Sequence, residues 1–253
     1  MGAGPERLIA DGLASRLVDA GHAVDVHLLE APPGSWRAEI RTAFDLAKLA
    51  ADKARVSIAA GAFPLVLSGN CLPAALGSVA ALRRPSVVWL DAHGDYNTPE
   101  TTIGGFLDGT ALATVTGRCW REMTRGIGGF EPVPESSVAL VGARDLDSLE
   151  KEALEQSGIR RCDLHELETS TPEPPVYFHL DLDVLDPAEA RVNSYAAPGG
   201  PSSREVERMI TKVAPRAASI TAYDPALDVD GRTSAIAIRL ALALAAAARA
   251  DSS

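Results

Sequence analysis

The sequence predicts an α/β fold with a mostly parallel central sheet covered on both faces. Three observations carry this. Short, β-branched, nearly continuous apolar runs alternate with longer stretches whose apolar residues recur at helical spacing. The runs lack the in–out alternation of a half-wet antiparallel sheet, as expected for strands buried on both faces. Their polar residues gather at the C-terminal ends, where open parallel sheets bind ligands.

Taken in order, residues 5–20 read as a helix and "AVDVHLL" (23–29) as a strand. Residues 36–61 have helical spacing and end at Gly61, a helix stop. "FPLVLS" (63–68) is a buried strand, "LPAALGSVAAL" (72–82) a helix and "SVVWLD" (86–91) a strand. "SSVALVGA" (136–143) is the next strand, and "VYFHLDLDVLD" (176–186) a strand running into a loop. A helix over 202–213, a strand over 217–224 and a last helix over 232–250 complete the series. Pro/Gly-rich loops fall at 97–105, 125–135, 169–175 and 196–203.

With 253 residues, 46% hydrophobic and 23% charged, the chain suits one large domain with a full core, expected to span 1–253. A net charge of −10 and a pI near 5.0 argue against a nucleic-acid partner. Cys71, Cys119 and Cys162 stand apart with no CxxC pair, so neither a disulfide scaffold nor a zinc knuckle is expected, and a reducing cytoplasm is the default location. The opening segment has no apolar stretch of signal-peptide type. The Ala-rich run near the C-terminus is interrupted by Arg239 and reads as a buried helix, so no membrane partner is expected.

Two acidic segments carry the chemistry. In "WLDAHGDYNTPETT", Asp91, His93 and Asp95 alternate after an apolar strand. In "HLDLDVLDP", His179, Asp181 and Asp183 do the same. Each alone has an ordinary reading: a capped loop for the first, an edge strand with one wet face for the second. Together they bring four carboxylates and an imidazole to one sheet end, which is hard to sustain without cations between them. Oxygen-rich ligation with one imidazole suits Mn²⁺ or a similar divalent ion. Two ions sharing carboxylates can hold a bridging hydroxide that is nucleophilic near neutrality.

"DAHGDYNTPETT", "HLDLDVLDPAEA…YAAPGGPSS" and "ALVGARDLD" (139–147) closely resemble the DAHxDxN, SxDxDxxDP…PGG and G-x-R-D-x-D motifs of the arginase/agmatinase (ureohydrolase) family, in the same order across most of the chain. The resemblance implies a three-layer α/β/α fold, a binuclear manganese centre, hydrolysis of a guanidino or similar C–N bond, a small-molecule substrate, and a homo-oligomer, usually a trimer or hexamer. By motif position, Asp91 and Asp181 match bridging carboxylates, and His93 and Asp183 ligands of one metal. Asp95 matches a ligand of the other metal and a proton carrier to the leaving amine. Asn97 and Asp147 match positions that hold the head group of an amino-acid substrate; as bare sequence they would read as turn and cap residues.

The chain also departs from the pattern. Where the family has its first metal-ligand His, in GG-D-H-S, this chain has "SGNCLP", with Cys71 in the His position. Cys71 is open to three readings: a small buried apolar residue, a thiolate ligand that softens the site toward zinc or iron, or a sign that this metal position is empty and only one ion binds. A Cys there is similar to the family branch that hydrolyses N-hydroxy-arginine, whose segments around the metal loop resemble those here. Asp108 stands near a family His and is a candidate second-sphere acid; Tyr195 stands about where a small hydroxyl residue contacts the guanidinium. The guanidinium-binding Glu falls at Ala222, with Asp224 two residues on, which makes unmodified arginine a doubtful substrate. His179 replaces a Ser and reads as a core histidine or a donor supporting the metal shell. The family's first strand has no counterpart before "GPERL", which would leave a sheet edge exposed or place the true start upstream. Besides hydrolysis of a guanidino-like group, releasing urea or hydroxyurea, two other readings stay open: a silent homologue that binds a metal or amino acid, and a hydrolase of an amide or formimino group.

Overall fold

A computed structural model describes residues 1–34, 38–168 and 172–250. Helices α1 (Gly4–Ala10) and α2 (Leu13–Asp19) lead to α3 (Glu39–Ala59), β1 (Leu65–Leu67), α4 (Cys71–Leu82) and β2 (Ser86–Leu90). Next come α5 (Ala111–Val115), α6 (Arg121–Thr124), β3 (Val138–Val141), α7 (Ser148–Glu155), β4 (Arg160–Cys162) and α8 (Leu164–Glu168). β5 (Val176–Asp181), α9 (Ser203–Ile210), β6 (Ala217–Thr221) and α10 (Arg232–Ala250) close the series. Among the described residues the strands form one sheet in the order β1-β6-β5-β2-β3-β4, every pair parallel.

Strand parity sorts the core into two slabs. Val88, Leu90, Phe178 and Leu180 face the layer of α1, α2, α9 and α10. Val87, Trp89, Leu140 and Tyr177 face the layer of α3, α4 and α5. The result is three layers, α/β/α. From β2 the chain moves outward through β3 to β4, and from β5 it moves the other way to β6. The switch point therefore lies between β2 and β5, whose C-terminal ends form the crevice. These two strands carry the two acidic segments.

Several expected elements differ. "AVDVHLL" is not a strand: Val26 and Leu28 are exposed, and the segment has no ladder partner. Alternation alone cannot make a strand without a neighbouring edge to pair its backbone. The helix expected over 5–20 breaks in two at Gly12, whose φ of 97° ends one turn and starts the next. The expected start of the 36–61 helix at 36 and 37 lies outside the described residues; α3 is seen from Glu39. The 136–143 strand opens as a 3-10 turn (Glu135–Ser137), and the 176–186 strand stops at Asp181, followed by a 3-10 turn (Leu182–Val184). The 217–224 strand ends at Thr221, because Ala222 takes a left-handed φ of 64°. Part of the 169–175 loop, residues 169–171, also lies outside the described residues. No described helix is long and apolar enough to cross a membrane.

Candidate metal centre

Asp91 follows β2 and is buried. Trp89 Nε1 donates to its Oδ2 at 3.1 Å, and the His93 backbone N–H to its Oδ1 at 2.8 Å. His93 Nδ1 lies 3.3 Å from both Asp91 Oδ1 and Asp183 Oδ2. The 3-10 turn after β5 brings Asp183 into place: Asp181 Oδ1 accepts its backbone N–H at 2.8 Å, and Asn193 Nδ2 donates to its Oδ2 at 2.9 Å. Across the crevice, Cys71 at the start of α4 sits 3.0 Å from Asp181 Oδ2 and 3.1 Å from Thr221 Oγ1.

These side chains make two groups whose possible ligand atoms lie within 4.8 Å of one another: Cys71, Asp91, His179 and Asp181, and Asp91, His93 and Asp183. Asp91 belongs to both. Asp95 is buried beside them with a left-handed φ of 49°, and its Oδ2 has no hydrogen-bond partner. A buried carboxylate oxygen without a donor is costly, and a cation is the group that would satisfy it.

The electrostatics agree. Burial and the charge of Asp183 push Asp91 up to about 6. Burial and the neighbouring carboxylates raise Asp95 and Asp181 well above the carboxylate range, and burial with the same charges raises the Cys71 thiol. Burial disfavours charged His93, but its bonds to Asp183 and Asp91 outweigh that and push it up to about 12. Burial alone would raise Asp183, yet His93 and Asn193 hold it down at about 2. One cation-like partner thus serves a cluster with too much negative charge. The residues present fit divalent metal ions.

The remaining candidates lie around this cluster. Asn97 is buried, and its Nδ2 donates to Asp147 Oδ2 at 3.3 Å, so the two expected head-group contacts are neighbours. Asp147 is the N-cap residue of α7. Asp108 accepts from Cys71 N at 2.7 Å, Leu72 N at 2.8 Å and Asn70 Nδ2 at 3.2 Å, so both its oxygens hold the first turn of α4. Tyr195 is exposed and packs on Phe106 with ring centroids 5.6 Å apart. Asp224 is turned to the Ala226 backbone N–H at 3.0 Å and the Met1 ammonium at 3.9 Å.

Three supporting residues escaped the sequence reading. Arg144 donates to five carbonyl oxygens, of Gly142, Asp183, Leu185, Ala197 and Pro198, tying the end of β3 to the turn after β5 and to the Pro-Gly-Gly loop. Asn193 orients Asp183. Buried Glu150 accepts the Tyr96 backbone N–H at 2.8 Å and so pins the metal loop. The pattern D-x-x-E at Asp147–Glu150 is a helix-start signal that could have singled out Glu150.

A family model described as the Arginase family matches residues 14–246, most of the chain. The chain belongs to the arginase family. An arginase of Brevibacillus brevis is 33% identical over 204 residues, covering 72% of this chain and 68% of that one. An N(omega)-hydroxy-L-arginine amidinohydrolase of Streptomyces lavendulae is 33% identical over 144 residues, 53% of this chain and 50% of its own. The crystal structure of an arginase from Bacillus cereus superposes with a TM-score of 0.85 at 28% identity, covering 96% of this chain and 91% of that one. Arginase-family members are metal-dependent, and the cluster at the β2/β5 switch point is this chain's candidate metal-binding group.

Proposed function

We propose that this chain hydrolyses a guanidino-like amino acid, with an N-hydroxyguanidino group preferred over a plain guanidinium, and that manganese is among the ions it uses. Family membership already makes it a hydrolase of non-peptide C–N bonds. The observation that carries the reading is the pair of ligand groups sharing Asp91, with Asn97 and Asp147 joined beside them. Such a pair of sites, when loaded, supplies an acidified water and a positive field for the charge that develops on the attacked carbon's substituents.

The chain's own residues do the rest. Cys71, Asp91, Asp95, Asp181, Asp183 and His93 would hold the ions. By its motif position, Asp95 would also carry a proton to the amine as its C–N bond breaks. Water adds to the guanidino carbon, the side-chain nitrogen leaves as an amine with that proton, and urea or hydroxyurea departs. Asn97 and Asp147 orient the head group, and Tyr195 with Phe106 stands at the exposed rim. Asp108 acts through α4, holding the backbone that presents Cys71. Ala222, where the family motif has a Glu, offers no charge to a guanidinium, which favours the less basic hydroxylated group.

The test is a panel of arginine, agmatine and N-hydroxy-arginine with added Mn²⁺, followed by urea and hydroxyurea release. N-hydroxy-arginine should exceed arginine in kcat/KM by roughly tenfold or more, the equivalent of about 1.4 kcal/mol. Asp183→Ala should abolish turnover. Activity surviving that substitution, or arginine as the better substrate, would overturn the assignment. By family resemblance we also expect a homo-oligomer, a trimer or hexamer, which light scattering would measure.

A further inference from the structure

We propose that the first metal position of this chain is a mixed sulfur–nitrogen–oxygen site, with Cys71 Sγ and His179 Nε2 as ligands alongside Asp91 and Asp181, suited to zinc or a similar borderline ion and not to manganese. The proposal rests on the reading that the cluster holds divalent ions.

The placement begins on β5. His179 and Asp181 are two residues apart on an extended strand, so their side chains share the sheet face that α4 covers. Cys71, at the first turn of α4, approaches that face from above, 3.0 Å from Asp181. The four side chains are buried, and one ligand atom from each lies within 4.8 Å of the others. Asp95, in the same charged cluster, points a buried oxygen that finds no donor.

The His179 ring is fixed on three sides. Trp89 is its register partner on β2 and stacks on it, with centroids 3.7 Å apart and planes 19° from parallel. Tyr177 Oη and Ser219 Oγ each lie 2.9 Å from Nδ1 and 2.6 Å from each other. With a proton on Nδ1 donated to one hydroxyl, Nε2 presents its lone pair. Its contact with Thr221 Oγ1 is 3.5 Å long, at the limit of hydrogen bonding. A ligating histidine is commonly held in this way, its other nitrogen bonded to an outer partner that sets tautomer and orientation. Thiolate and imidazole together favour zinc-like ions, whereas the neighbouring group of Asp91, His93 and Asp183 has the oxygen-rich character manganese accepts.

The experiment uses the full chain, purified anaerobically, stripped of metal and loaded with one equivalent of Zn²⁺. X-ray absorption at the zinc edge should show a sulfur near about 2.3 Å and an imidazole nitrogen at roughly 2.0–2.1 Å. In His93→Gln the imidazole signal should persist, because His179 supplies it. In Cys71→Ser the sulfur should vanish, and the preference for Zn²⁺ over Mn²⁺ should fall at least tenfold in both Cys71→Ser and His179→Gln. An all-oxygen/nitrogen shell without sulfur, or an imidazole lost with His93, would overturn the proposal, and both readouts work in chains whose residue 179 is intact. Urea release is measured separately. A sulfur–imidazole shell without turnover would sink the hydrolytic reading and leave this one standing; turnover without that shell would do the opposite.

Discussion

Gly94 shows how much a single residue decides here. A Cβ at this position would lie 2.7 Å from Glu150 Oε1. Glu150 is buried and bound to the Tyr96 backbone, so it has nowhere to swing. Gly94→Ala should therefore cost about 1–3 kcal/mol and displace His93 and Asp95 together, seen as a lower melting temperature and weaker metal retention. Glu150 itself gives a pH prediction. Burial pushes it up to about 7 from 4.5, against the backbone donors that lower it. The folded state thus holds a proton that the unfolded state has lost between those values. The contribution to stability is full below about pH 4.5 and is lost as pH rises through about 7. Glu150→Gln should flatten that decline in denaturant melts recorded across this window; an unchanged slope would show that Glu150 does not titrate there. Much of the site at this scale was legible. Asp91, His93, Asp95, Asp181 and Asp183 announce themselves as charged residues spaced at every second position just where two apolar runs end, although turns, not strand alternation, bring Asp95 and Asp183 into place. Asp108 was visible as an acid but not as the anchor of α4, since its partners are 36 to 38 residues away and no local pattern records that. The chain also has a Cys at 71 and a His at 179, more than a hundred positions apart in the sequence; only the fold shows the two side by side.

At the scale of elements, strands and their functional ends were readable and irregular segments were not. β2, β5 and β6 are apolar runs long enough to be recognised. β4, with the sequence Arg-Arg-Cys, carries no strand signal and exists because β3 offers it an edge. "AVDVHLL" is the converse: it has the signal without an edge. The loops around the metal centre are held by Arg144 and by a close approach at Gly200, where a Cβ would fall 2.2 Å from the Val184 carbonyl and 2.7 Å from Arg144 Nη2. Arg144→Lys keeps the charge but loses the planar fork, leaving several carbonyls without a donor. We expect a loss of about 2–3 kcal/mol in stability and a raised KM, because the loop carrying Asn193 and Tyr195 loosens. A wild-type KM in this variant would mean the loop is held by other contacts.

At the scale of the molecule, the sheet alone does not explain the stability of the site. Four buried carboxylates converge between β2 and β5, and cations that bind only the folded chain would relieve them. Chelation should lower the melting temperature, and readdition of ions should restore it; at free metal a hundredfold above its dissociation constant the gain is about 2.7 kcal/mol. A melting curve indifferent to chelator would show that the cluster is not a metal centre. Layer order and sheet direction followed from the apolar pattern, whereas the switch point that locates the crevice became visible only once strand order was known.

The bond from Asp108 to the start of α4 has an evolutionary consequence. The backbone around residue 71 is clamped by a carboxylate from a different part of the chain, so the helix start that offers this side chain is also held through backbone N–H groups that any residue there except proline supplies. Such a position can be edited like an interchangeable tool in a fixed holder. One codon can trade one ligand chemistry for another, and lineages on this scaffold can change metals without redesigning the frame that holds them.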